Sequence, residues 1–147
     1  MEHLEEIMLD TWLKLSGILS KENIVSDMPY NESMICNILQ RKQKENPDCQ
    51  ITATDLCRET KMLKSQMNRT LTSMENKKLI FRKRSSEDKR KIFIELNPEQ
   101  SKTYKKQQWK TICKFNELIE KIGKEKAVEA LEIFELLADS AEGIFND

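Results

Sequence analysis

One histidine, three glycines and three prolines in 147 residues exclude more than they permit. With His3 alone, and with no GxSxG, no HExxH and no Gly-rich phosphate loop, an enzyme reading has nothing to stand on. The four cysteines, Cys36, Cys49, Cys57 and Cys113, form no CxxC pair, and a structural zinc site needs four clustered ligands. Neither a metal nor a cofactor is therefore expected, and the thiols should be reduced and mostly packed. So few Gly and Pro leave few breaks. That rules out loop-dominated and collagen-like architectures and disfavours a many-stranded sandwich. No apolar run approaches the roughly 18–20 residues of a membrane span, so no membrane partner is expected. The opening MEHLEEIMLD is acidic and amphipathic, unlike a secretory signal, which makes the cytoplasm the expected location.

What the chain does have is helix-forming sequence and segregated charge. Hydrophobic residues make up 38% and charged residues 34%, which suits long helices with solvated outer faces. The net charge of zero is a cancellation. Residues 58–91 hold twelve Lys and Arg against four acids, +8, while residues 1–35 carry −5 and residues 117–147 carry −6. A basic block between acidic ends is the electrostatic footprint of a polyanion partner.

Leu4, Ile7, Met8, Trp12, Leu15, Ile18 and Leu19 recur at steps of three and four, predicting a helix from about Glu2 to Ser20. A second helix follows Pro29, with Met34, Ile35, Ile38 and Leu39 inward, and ends before Asn46-Pro47-Asp48. Ile51 reads as extended, running into a short helix capped by Thr52 and Asp55, with Asp a poorer fit than Glu. Another helix begins near Leu63, with Met67, Thr70, Leu71 and Met74 inward. Two short helices so close together are a helix-turn-helix candidate. Leu79 to Arg82, a polar loop from Lys83 to Arg90, and the alternating Lys91 to Leu96 then predict a charged hairpin, a wing.

Asn97-Pro98 starts a long helix with Tyr104, Trp109, Ile112, Phe115, Ile119 and Ile122 on one stripe, stopped by Gly123. The last helix should run to the C-terminus, with a seam of Ala127, Leu131, Phe134, Ala138, Ala141 and Phe145. These apolar stripes exceed what a small winged lobe can bury. The simplest solution is mutual burial in a homodimer; a monomeric bundle is the alternative.

The stretch ITATDLCRETKMLKSQMNRTLTSMENKKLIFRKRSSEDKRKIFIEL, positions 51–96, resembles the MarR family of winged helix-turn-helix transcription regulators. Leu56-Cys57 fill the family's Leu-Ala slot, which suggests that Cys57 is buried and inert. Ser65 to Arg69 fill the recognition core, and Asp88-Lys89-Arg90 supply the Asp-x-Arg of the wing. The departures are Lys61 and Lys78 where the family often has glycine, Leu63 where it often has serine, and Thr60 for a usual leucine. The order of helices before and after also matches, so the resemblance covers the whole chain. It implies a mainly α fold with a small β-hairpin wing, a single subunit over 1–147. Residues 30–97 would be the DNA-binding lobe, and 1–28 and 98–147 the dimerisation helices. It further implies a homodimeric regulator, a repressor, on a pseudo-palindromic operator in double-stranded DNA. The recognition helix, about 63–77, would enter the major groove, and the wing, 83–91, the minor groove.

Residue chemistry supplies the roles. Arg bridges paired acceptors on guanine, and Asn and Gln do so on adenine, which points to Gln66, Asn68 and Arg69 as base readers. Lys64, Ser65 and the first-turn amides suit phosphates; Thr52, Thr54 and Lys89 are secondary candidates, Lys61 and Lys78 are placed to add contacts, and Arg84 completes the DNA-binding set. By resemblance, Arg90 enters the minor groove and Asp88 orders the wing by pairing with a neighbouring basic side chain. The resemblance also implies release by a small lipophilic or aromatic effector, in a crevice lined by Trp12, Ser16, Met34 and Ile38, with Trp109 nearby. Two alternatives stay open. One is a redox- or metal-responsive regulator on the same scaffold, and the other a winged-helix interaction module that does not bind DNA.

Overall fold

Leu4, Ile7, Met8, Trp12, Leu15 and Ile18 do organise a helix, α1 (Leu4–Lys21). The computed structural model describes residues 3–21 and 28–145. Glu2, where this helix was expected to begin, lies outside the described residues, as do 22–27, 146–147 and the side chain of Leu19. There follow α2 (Tyr30–Glu45), β1 (Ile51–Thr52), α3 (Ala53–Thr60), α4 (Lys64–Asn76), β2 (Ile80–Arg84), β3 (Ile92–Leu96), α5 (Pro98–Ile122) and α6 (Lys124–Ala141).

Local chemistry sets most of these ends. At α2 the Asn46 amide donates to Lys42 O, and Asn46 Oδ1 accepts from Asp48 N at 3.1 Å, turning the chain before Pro47. At α3 the cap is complete: Asp55 N donates to Thr52 Oγ1 at 3.1 Å, and Thr52 N donates to Asp55 Oδ2 at 3.0 Å. Aspartate, expected to serve less well than glutamate, closes the box here. At α5, Asn97 Oδ1 accepts from Glu99 N at 3.1 Å, while Asn97 Nδ2 donates to Lys78 O at 2.8 Å. One side chain thus caps a helix and ties it to the turn before β2.

Three expectations need correction. Ile51 is more than an extended residue: Ile51 and Thr52 pair with Ile94 and Phe93, which makes a three-stranded antiparallel sheet of order β1-β3-β2. The wing loop starts at Ser85 and not at Lys83, because Lys83 and Arg84 continue β2 opposite Phe93 and Ile92. The last helix stops at Ala141, two residues before Gly143, and Phe145 lies beyond it, 81% exposed. Gly143 is a poor helix former just beyond that end, and the expected seam loses its last member.

The core is gathered from these short elements. Ile35, Ile38 and Leu39 of α2, Leu56 of α3, and Met67, Leu71 and Met74 of α4 meet Ile51, Ile80 and Ile94 of the sheet. Each fully buried Leu, Ile or Met contributes about 1.5–3 kcal/mol. Tyr104 of α5 closes the cluster, its hydroxyl donating to Ser33 O at 3.2 Å. Its burial raises the phenol well above the usual range.

By contact the chain divides into two units, Met1–Gln108 and Trp109–Asp147. Within the first, α1 leaves its large apolar side chains at the surface: Ile7, Met8, Leu9, Trp12 and Leu13 are 48–59% exposed. Within the second, α6 has no buried residue, and Leu131, Phe134, Ile112 and Phe115 are about half-exposed.

Candidate nucleic-acid interface

The helix-turn-helix is held by its own backbone and one threonine. Thr60 Oγ1 donates to Leu56 O at 2.7 Å and accepts from Met62 N at 3.3 Å, while Lys61 N donates to Cys57 O at 2.9 Å. Lys61 ends α3 in the left-handed region, φ 62°, and Lys78 does the same after α4 at φ 61°. These are the two positions where the sequence departs from glycine. Lysine keeps both turns, at the steric cost of a Cβ in that region.

On α4, Met67, Leu71 and Met74 face the core. At about 100° per residue the opposite face carries Ser65, Arg69, Thr72 and Asn76. Of the proposed base readers, Arg69 is on that outward face. Gln66 turns toward α2 and lines an open cleft with Pro29, Asn31, Glu32, Arg69, Thr70 and Ser73. Asn68 lies on the opposite flank, where its carbonyl accepts from Thr72 Oγ1 at 2.8 Å. Thr72 and Asn76 are functional candidates that residue type alone does not single out, although the Met67-Leu71-Met74 spacing is enough to place them.

Lys64 and Ser65 occupy the first turn. The N-cap, Leu63, offers no side-chain acceptor, and the turn contains no acid. The opening amides are therefore left for an outside acceptor, and the positive end of the helix faces outward.

The wing loop is tied by two side chains. Ser85 Oγ accepts from Glu87 N and Asp88 N, both at 3.2 Å. Asp88 Oδ1 accepts from Arg90 N at 3.0 Å and Arg90 Nε at 3.4 Å. Arg90 is thus the base that Asp88 engages, and its side chain is 92% exposed. Arg84 sits at the end of β2, and Lys89 lies in the loop.

The basic block is only partly available. Five of its twelve cations are in ion pairs: Arg58 with Asp55, Lys77 with Glu32, Arg82 with Glu75, Lys83 with Glu95 and Arg90 with Asp88. Among the described residues, Lys64, Arg69, Lys78, Arg84, Lys89 and Lys91 make no salt bridge, and all six are exposed. They sit on α4, in the turn after it, at the end of β2 and in the wing loop. A count of charges could not anticipate this, because the Lys77 and Glu32 partners are 45 residues apart in sequence.

The effector candidates differ in exposure. Trp12 is 59% exposed, Ser16 and Met34 are half-buried, and Ile38, 5% exposed, belongs to the core. Trp109 lies in the second unit. Among the thiols, Cys36 is buried; desolvation, with Glu32 adding to it, pushes it up to about 12. Cys57, expected to be buried, is half-buried at the core margin, because it lies beside Leu56 and not under it. Thr52 is committed to the α3 cap, and Thr54 is exposed on α3.

Residues 28–91 match the family model described as MarR family. No match is found among curated proteins. Three solved structures resemble the chain. AbsC from Streptomyces coelicolor, a MarR family transcriptional regulator, is 21% identical, with 97% of each chain covered and a TM-score of 0.79. PcaV, a transcriptional regulator from the same organism in complex with its natural ligand, is 15% identical, with 96% of this chain and 95% of that chain covered and a TM-score of 0.71. S. aureus MepR in complex with DNA is 17% identical, with 94% of each chain covered and a TM-score of 0.67. At such identities the likeness speaks for the fold. The chain thus carries the winged-helix fold of the regulators it resembles, and its residues 28–91 are similar to the MarR family.

Proposed function

We propose that the protein is a DNA-binding transcription regulator that acts as a homodimer on a two-fold operator. The observation that carries this reading is the placement of its uncommitted cations. After internal pairing, the six left over lie on α4, the turn after it, the end of β2 and the wing loop, where a helix-turn-helix would meet phosphates. Arg69 reads base edges in the major groove, flanked by Gln66 and Asn68. Lys64, Ser65 and the open first-turn amides hold the backbone. Arg84 and Lys89 add phosphate contacts beside Arg90, whose exposed guanidinium suits a narrow minor groove. MepR, with a similar fold, has been crystallised on DNA, which supports this assignment.

The exposed apolar faces of α1, α5 and α6 are the dimerisation surface in this reading. PcaV, bound to its natural ligand, supports a small-molecule effector, which Trp12, Ser16 and Met34 would help to receive. Repression by occupancy of a promoter follows as the mode of action. No described helix is long and apolar enough to cross a membrane.

Selection of duplexes from a random pool by the purified protein should yield a symmetric site. With 6–10 phosphate contacts, affinity for it should fall about 10³–10⁵-fold between roughly 50 and 200 mM salt. A flat salt dependence would remove the phosphate-driven mode. Sedimentation at micromolar concentration should show a dimer, and a stable folded monomer would remove that part of the reading.

A further inference from the structure

Arg82 belongs to the most basic stretch of the chain, yet it is turned inward. It sits in the middle of β2, opposite Ile94, with its side chain 25% exposed. Its Nε donates to Glu75 Oε2 at 3.2 Å, and its Nη2 donates to Glu75 Oε1 and Thr72 Oγ1, each at 3.2 Å. Thr72 is itself fixed, donating to Asn68 O. The fork-on-carboxylate arrangement is the geometry in which guanidinium holds direction as well as charge. The hydrogen bond from Arg82 also holds the Glu75 carboxyl below its ordinary value, so the pair is charged at neutral pH.

The brace spans the two elements that must enter neighbouring grooves together. α4 and β2 diverge from one short turn, where Lys77 N donates to Ser73 O and Leu79 N donates to Met74 O. Packing of Leu71 and Met74 with Ile80 in the core holds helix and strand together but is non-directional, which leaves their angle soft. Arg82, reaching from β2 across to Glu75 and Thr72 on α4, adds a second fixed point. We propose that Arg82 is a positioning residue: with Glu75 and Thr72 it sets the angle between recognition helix and wing, and so the sequence specificity of binding, without touching DNA. This rests on the DNA-binding reading above.

The sign of one substitution separates this role from an ordinary phosphate contact. If Arg82 were held in reserve for phosphate, Glu75→Gln would release it and tighten binding to any duplex. As a brace, Glu75→Gln loosens the angle and weakens operator binding. The experiment uses the full chain, its selected operator and a scrambled duplex of equal length, with anisotropy titrations over a salt series and a melting curve for every variant. Glu75→Gln and Arg82→Gln should each weaken operator binding on the order of tenfold, and the double variant should be no worse than either single. Scrambled-duplex affinity should stay within about twofold and the salt slope should be unchanged, because no phosphate contact is lost. Arg82→Lys keeps the charge but lacks the fork. It should behave like Arg82→Gln on the operator, which gives a readout even if the glutamine variant folds poorly. Tighter operator binding by Glu75→Gln overturns the proposal, and so does a slope reduced by about one in Arg82→Gln. A parent that binds no duplex overturns the DNA reading itself, and the brace then has nothing to position.

Discussion

Lys77 Nζ lies 2.9 Å from Glu32 Oε2, bridging a carboxylate whose side chain is 4% exposed and an ammonium whose side chain is 49% exposed. The acid stands in the first turn of α2 and the base caps the C-terminal end of α4, so each also suits its own helix dipole. Removing the base alone leaves a buried charge without its partner. Lys77→Met should destabilise by about 1–3 kcal/mol, below the full range for buried pairs because Lys77 is half in water. Adding Glu32→Gln should recover most of that loss. Urea denaturation of the three variants decides it; a double variant no better than Lys77→Met would mean that the charge is not the cause.

Lys78 makes a different stability prediction. Its backbone is left-handed at φ 61°, a conformation that suits glycine. Lys78→Gly relieves the Cβ clash and pays part of the gain back in unfolded-chain entropy, for a net stabilisation of about 0.5–1 kcal/mol. The same change removes an exposed, unpaired cation beside α4, so DNA affinity should fall while stability rises. A fall in the urea midpoint would show that the strain has been misplaced.

Arg69 and Arg90 should fail in distinguishable ways. Arg69→Ala should cost about 1–3 kcal/mol of operator binding and relax preference at one position per half-site. Arg90→Ala should weaken binding to all sequences more evenly, with the largest loss where flanks are A·T-rich. Asp88→Ala should act as a milder Arg90→Ala, since Asp88 holds the loop through Arg90 N and Nε. Coulomb's law alone gives the opposite sign, because an acid near DNA is being removed. Tighter binding by Asp88→Ala would therefore reduce the wing tip to a solvated loop.

The Glu75 carboxyl titrates below its ordinary 4.5 because Arg82 hydrogen-bonds its charged form. A carboxyl depressed in the folded state contributes stability above its unfolded value and loses it as pH falls through the folded one. The stability gap between the parent and Glu75→Gln should thus be constant above about pH 5 and shrink on acidification toward pH 3. A gap that grows over that range would contradict the sign. Since Glu75 is well solvated, the effect should be modest and reduced by salt.

Helix spacing, caps and the turn after α2 could be read from residues alone, because their causes are local. Thr52 and Asp55 are three apart, and Asn97 precedes Pro98. The pairing of Ile51 with Ile94 leaves no mark in the sequence, since a two-residue strand has no periodicity of its own. The full length of β2 is hidden for a related reason. Lys83 and Arg84 look like loop, and only their partners Phe93 and Ile92 make them strand. At the candidate interface, residue type pointed to Arg69 but not to the facing of Gln66, which depends on where α2 lies. The inward turn of Arg82 was equally hidden, because a seven-residue step to Glu75 across a helix end and a turn follows no repeat.

Eleven of the twelve buried apolar side chains found among the described residues fall between Ile35 and Ile94; Tyr104 is the exception. In terms of descent, a lineage could rework α1, α6 and much of α5 under new selective demands while the packing that supports the helix-turn-helix stayed intact. Outside that span such drift would have to respect the tyrosine that reaches back to Ser33, the buried Glu32 that holds Lys77, and Asn97, which caps α5 and ties it to Lys78.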